Sequence, residues 1–319
     1  MKYRTLGNSG LKASELGLGA NNFGWWADEK MSVAVINRAL ELGINYIDTA
    51  DMYDRGRSEE FVGKALKGKR TDIIVASKFA TPMGDGPNDK GGSRHYIMRA
   101  VEASLKRLQT DYLDLYQMHV PDPDTPIQET LAALDDLVRS GKVRYIGCSN
   151  FAAWQLCEAL WTSRFNHLHA FVTVQVRYNV LERATETELV PCCRKYGIGV
   201  IPWGPLAGGF LTGKYEQGKQ APADARLAQP VGIYSHIFTD DNWDRLTRLR
   251  AFAQKRGHTV AELAIAWLLA KPWTTSVIAG ARTPEQLSAN LPAMEWQLTD
   301  AEMAEIDEIA APANPGKTP

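Results

Sequence analysis

Asp48, Tyr53, Lys78 and His119 stand at or just beyond the ends of short apolar runs, and together they make a set that could move a proton. Asp48 and Tyr53 are five positions apart across a run end and the loop after it, while Lys78 and His119 close the next two runs. Neighbouring parallel strands lie about 4.8 Å apart, so four such side chains can converge on one point. A phenol with a pKa of about 10 is a poor acid at neutral pH. A lysine cation held against it favours the phenolate, and an aspartate would keep that lysine charged and in place. Such a phenol can give a proton to a carbonyl oxygen as hydride reaches the carbon, with the histidine hydrogen-bonding the same oxygen, and the reverse reaction oxidises an alcohol. Taken singly, each residue also suits a structural role: an Asp–Lys ion pair at a rim, a packed tyrosine, a satisfied histidine.

The elements that must position these groups follow a repeating rhythm. Seven short apolar runs end in a polar or special residue, at Asp48, Lys78, His119, Asn150, Gln175, Trp203 and Gly280, and a helix-like segment separates each from the next. This pattern predicts a (β/α)8 barrel, in which such residues gather at the C-terminal rim where barrels of this kind place their active sites. The first barrel strand is read at Leu16 to Gly19, the fifth at Val143 to Cys148, the seventh at Ile198 to Trp203 and the eighth at Thr275 to Ile278. Helical stripes include Val35, Ile36, Ala39 and Leu40, then Ile97, Val101, Leu105 and Leu108. Thr125, Pro126 and Gln128 read as an N-cap, a first-turn proline and a capping-box amide, and Thr259 with Glu262 reads as a second capping box. Tyr3 to Leu6, Asn8-Ser9-Gly10 and Leu11 to Glu15 predict a hairpin ahead of the barrel, placed to plug its N-terminal face. After Trp203 the rhythm lapses from Gly204 to Asp240, and a loop that long is usually functional. The whole chain, 1–319, is read as a single barrel domain, with 311–319 as a mobile tail.

The chain has 319 residues, of which 45% are hydrophobic and 23% charged, ordinary values for a globular enzyme. Its 36 Lys and Arg are balanced by 37 Asp and Glu without a block of like charge, so neither nucleic acid nor an anionic membrane is an expected partner. The amino terminus carries no apolar leader and no 18-residue apolar run follows, which predicts a cytoplasmic protein. Cys148, Cys157, Cys192 and Cys193 form no metal-binding spacing and read as reduced packing thiols; no metal is expected.

At this point the chain resembles the aldo-keto reductases, in particular the bacterial branch related to potassium-channel β subunits. Asn45-Tyr46-Ile47-Asp48-Thr49-Ala50-Asp51-Met52-Tyr53, followed by Ser58-Glu59-Glu60, is similar to that family's active-site segment. Ala76-Ser77-Lys78 and Leu113-Asp114-Leu115-Tyr116-Gln117-Met118-His119 carry the other two members of its tetrad. The similarity runs from about Tyr3 to Asn290, with Asp54 standing where many relatives have glycine, a rim carboxylate placed to affect substrate choice. The resemblance implies catalytic roles for Asp48, Tyr53, Lys78 and His119. It implies that Ser149, Asn150 and Gln175 hold a nicotinamide carboxamide and that Trp203 stacks on its ring, although Asn150 also suits a helix N-cap. Pro205, Leu206, Gly208 and Lys214 fall in a segment similar to the family's cofactor-spanning loop, whose amides and lysine meet the pyrophosphate. Gly280, Arg282, Gln286 and Asn290 fall in the segment for adenosine 2′-phosphate and adenine. Arg282 favours NADPH/NADP+ over NADH.

Phe23, Trp25, Trp26, Tyr234 and His236, the last two in a stretch from Val231 to Ile237, are the candidates to touch substrate. Expected ligands are therefore NADPH and a small carbonyl or alcohol; oligomeric state is not legible. Three alternatives stay open: a sugar or alcohol dehydrogenase using the same site, a nicotinamide-binding sensor or scaffold with little turnover, and an unrelated barrel enzyme such as a glycoside hydrolase.

Overall fold

Alternation along each strand decides where every candidate side chain points. The computed structural model describes residues 1–219 and 234–312; Val231 to Ile233 and the expected tail from residue 313 onward lie outside them. Eight parallel strands close a barrel: β3 (Leu16–Gly19), β4 (Tyr46–Asp48), β5 (Ile74–Phe79), β6 (Leu113–Met118), β7 (Val143–Ser149), β8 (Thr173–Arg177), β9 (Gly199–Trp203) and β10 (Val277–Gly280), which pairs back onto β3. Ahead of it, β1 (Tyr3–Thr5) and β2 (Lys12–Ser14) form an antiparallel hairpin. Helices α1 (Glu29–Glu41), α2 (Arg57–Ala65), α3 (Arg94–Leu108), α4 (Ile127–Arg139), α5 (Ala153–Phe165) and α6 (Leu189–Tyr196) link successive strands up to β9. Helices α7 (Asp240–Gln254) and α8 (Val260–Ala270) lie between β9 and β10, and α9 (Pro284–Ser288) and α10 (Asp300–Ile309) follow the last strand.

Successive strand residues face opposite sides. Tyr46, Ile74, Ala76, Leu115, Ile201 and Ile278 share one buried apolar cluster inside the barrel. Two residues further along the same strands stand Asp48, Lys78, Gln117, Trp203 and Gly280, with Gln175 on β8 at their level. The interior is thus apolar below and polar at the mouth. The other strand faces pack on the helices in the main core. Leu6 and Ala13 of the hairpin are wholly buried and belong to the interior cluster, so the hairpin closes the lower end of the barrel as its position implied. Gly7 allows this, since a Cβ there would lie 1.9 Å from the Val172 carbonyl oxygen.

Three local expectations need correction. Helix α4 starts at Ile127 with Pro126 as its cap and no side-chain capping bond, because Thr125 instead donates to Asp122 at 2.7 Å and Gln128 reaches Asn166. Thr259 does cap α8, but the Glu262 carboxylate is bound to His258 Nδ1 at 2.7 Å, so the box is not reciprocal. The eighth barrel strand starts at Val277 and not Thr275, because Thr275 donates to Val200 on the β9 side before β3 is reached. Leu6→Ala should remove the stopper and lower stability by about 3 kcal/mol, read as a reduced midpoint of chemical denaturation with the fold otherwise retained.

Candidate active site

Lys78 is fully buried at the barrel mouth, and an ammonium in that position needs a partner for every N–H. It donates to Asp48 Oδ2 at 2.6 Å, to the Thr49 carbonyl at 2.9 Å and to the Tyr53 hydroxyl at 3.3 Å. Burial alone would push the ammonium down, but Asp48 and Tyr53 outweigh it and hold the pKa above the ordinary lysine range. Asp48 is fixed in turn by amides: its Oδ1 accepts from Gln175 at 2.7 Å and from Gln117 at 3.3 Å.

With all three lysine donors committed, the Tyr53 hydroxyl, which accepts from one of them, keeps its own proton to donate elsewhere. The turn carrying Tyr53 is strained. Asp54 (φ 44°), Arg55 (φ 54°) and Gly56 (φ 94°) are consecutively left-handed, at about 1–2 kcal/mol for each non-glycine residue. Its surroundings keep it there. Ser58 donates to the Ala20 carbonyl at 2.8 Å, the Arg107 side chain lies where a Cβ on Gly56 would be, and the Asp54 carboxyl packs on Gly24. Asp54 thus buttresses the turn, paired with Arg57 at 3.5 Å and packed on Gly24.

The His119 ring meets Tyr53 edge-on, with centroids 5.8 Å apart. Burial first, and the Lys78 charge second, lower its pKa to about 3, so the imidazole is neutral. The residue as a whole is half-buried, yet Nδ1 is fully enclosed without a hydrogen-bond partner.

Asn150 has φ 60° and does not cap α5, whose N-cap is Ala152. It ties the rim together instead, donating to the His119 carbonyl at 3.0 Å and accepting from Trp203 Nε1 at 3.1 Å. Ser149 donates to the Gln175 carbonyl at 2.9 Å. Trp203 is half-buried and has the Arg177 guanidinium 4.9 Å from its ring centroid. Gly204, Gly208 and Gly209 have positive φ, as does Ala207, so the chain after β9 turns tightly; Pro205 is buried, Leu206 half-buried, and the Lys214 stem lies 3.1 Å from where a Cβ on Gly209 would be. Gly280 is exposed beside Asn21 and Asn22, Arg282 donates its backbone N–H to Gln286 Oε1 at 2.8 Å, and Asn290 is buried. A half-open indole, amides at its edge, a glycine-rich backbone and a cation further along the rim fit a dinucleotide.

Two of the aromatic residues expected to touch substrate do not have the surface for it. Phe23 is wholly buried and anchors the β3–α1 loop in the core; Tyr234 is 2% exposed and packs its ring on Gly208. His236 is exposed and bound to Glu182 at 2.8 Å. Trp25 is 46% exposed, and its ring centroid is 6.3 Å from that of Tyr53. Trp26 faces Arg282, with the guanidinium carbon 5.1 Å from its ring centroid. Sequence reasoning passed over Gln117 and Arg177, although each is a polar residue two positions from a chosen one, His119 just past β6 and Gln175 on β8. Among the described residues no group of three or more His, Cys, Asp or Glu side chains could hold a metal ion, and no helix is long and apolar enough to cross a membrane.

The closed parallel barrel agrees with the comparisons. The aldo/keto reductase family model matches residues 15–311, and the chain belongs to that family. It is 39% identical to an uncharacterized oxidoreductase of Bacillus subtilis, over 100% of this chain and 98% of the relative. It is 36% identical to a probable voltage-gated potassium channel subunit beta of Oryza sativa (100% and 99%) and 34% identical to an L-glyceraldehyde 3-phosphate reductase of Escherichia coli (98% and 93%). The protein is an NAD(P)H-dependent oxidoreductase of the aldo-keto reductase type.

Beside this site, just past β4, Asp51 is buried with Tyr96 donating to it at 3.3 Å, and burial followed by the Glu59 charge raises its pKa to about 7. An unfolded aspartate ionises near 3.8, so between about 4 and about 7 the folded form holds the extra proton and stability falls as pH rises, by up to about 1.4 kcal/mol per unit. Asp51→Asn should abolish that slope, so that its stability relative to wild type improves from pH 4 to pH 7 in denaturation measured across the range.

Proposed function

We propose that this enzyme reduces an aldehyde or ketone to an alcohol with NADPH, Tyr53 giving the proton. The observation that carries this reading is the saturation of Lys78. An ammonium whose three N–H groups are spent on Asp48, Thr49 and Tyr53 cannot itself serve the substrate, but it stabilises negative charge growing on the phenol oxygen as the proton leaves. Asp48, held by Gln117 and Gln175, keeps that charge in place. Neutral His119 offers a ring N–H to the same carbonyl oxygen, orienting it toward Tyr53. Trp25 walls the substrate side, with His236 further out on the rim. When bound, the nicotinamide supplies hydride. Trp203 gives its ring a flat seat, and Ser149, Asn150 and the Gln175 amide oxygen edge that seat. The backbone at Pro205, Leu206 and Gly208 with Lys214 would hold the diphosphate, and Gly280, Arg282, Gln286 and Asn290 would hold the adenosine end, Arg282 favouring the 2′-phosphate. Conversion of aldehydes, keto-sugars and aryl ketones, followed as loss of NADPH absorbance, tests the reaction. Tyr53→Phe should cut kcat by about 10²- to 10⁴-fold with NADPH binding intact, and Lys78→Met should do likewise.

Similarity to channel β subunits supports a second reading, a nicotinamide sensor with little turnover. On that reading wild type and Tyr53→Phe would bind NADPH alike and neither would oxidise it with any carbonyl in the panel.

A further inference from the structure

The two adjacent tryptophans of the β3–α1 loop face different ends of the rim. Trp25 lies toward Tyr53, whereas Trp26 meets Trp25 edge-on, at 5.8 Å between centroids, and has the Arg282 guanidinium over its own ring. The loop that carries them is stiff. Phe23 donates to the Ala20 carbonyl, Gly24 to that of Ala27, and both Trp26 and Ala27 donate their backbone N–H to the Asn22 carbonyl. Phe23 is its buried anchor. The loop also abuts the segment after β10 directly, since a Cβ on Gly280 would lie 3.0 Å from Asn22 Nδ2 and 3.1 Å from Asn21 Oδ1. Among its contacts, Arg282 donates its backbone N–H to Gln286 and lays its guanidinium over an indole fixed to the opposite loop.

We infer that Trp26 is a positioning residue for Arg282, holding the guanidinium ready for the adenosine 2′-phosphate and so setting the preference for NADPH over NADH. This rests on the proposed role of Arg282 as the phosphate-binding cation. A guanidinium stacked on an aromatic face keeps its N–H groups radiating in plane, so the contact does not compete with a phosphate for donors. It removes rotamer freedom that binding would otherwise have to remove, and only a ligand with the 2′-phosphate gains from it. Trp26 is thus reassigned from the substrate side to the adenosine end.

Calorimetric titration of the full chain with NADPH and with NADH separates the possibilities. Trp26→Ala should weaken NADPH by about 3- to 10-fold and leave NADH within about twofold, and Trp26→Phe, which keeps an aromatic face, should recover most of the loss. Arg282→Ala should weaken NADPH by roughly 10- to 100-fold, and adding Trp26→Ala to it should cost nothing more. Equal loss of both dinucleotides in Trp26→Ala, no loss of either, or full additivity with Arg282→Ala would overturn the positioning role while leaving the Arg282 assignment standing. Unchanged NADPH affinity in Arg282→Ala would instead overturn the phosphate assignment beneath it.

Discussion

A positive charge buried at the mouth of the barrel is the constraint on which the rest of the site depends. An unpaired ammonium cannot remain charged in such a place, so Lys78 forces its surroundings: a carboxylate on the neighbouring strand, a carbonyl just after it, and a phenol brought in on a turn. The carboxylate has needs of its own, which the Gln117 and Gln175 amides meet from β6 and β8. The charge also reaches His119 from the other side, adding to burial in keeping that imidazole neutral. Polar residues from four strands are thereby locked to one another above an apolar layer.

The phenol is delivered at a conformational cost. Two non-glycine residues in the left-handed region directly after Tyr53 are tolerated because packing on both sides leaves the turn nowhere else to go. Glycine at 54 would relax the backbone, whereas aspartate there gives the turn a carboxyl that wedges against Gly24 and reaches Arg57. A strained turn braced by the β3–α1 loop and by Arg107 of α3 makes a firm mount for the Tyr53 phenol.

The barrel was legible because apolar runs closed by polar residues recur between helical stretches; Asp48, Lys78 and His119 stood at such closures, and Tyr53 followed five positions after Asp48 in the adjoining loop. Gln117 fitted the same rule and was passed over only because the run it sits in was read as ending on His119. Loop residues were harder. Phe23, Trp25 and Trp26 look alike in sequence, yet one is core, one lies against Tyr53 and one against Arg282. That difference is decided by contacts with segments remote along the chain, as far as 256 positions for the pair Trp26 and Arg282. Helix starts failed where a nearby side chain offered a better partner, as Asp122 did for Thr125.

The hairpin at the amino terminus turns the barrel into a blind cup. Leu6 and Ala13 seal its floor, and the side chains just above them are apolar and closely packed. Access to the polar mouth is therefore from the C-terminal rim alone, since the opposite end is filled by packed side chains.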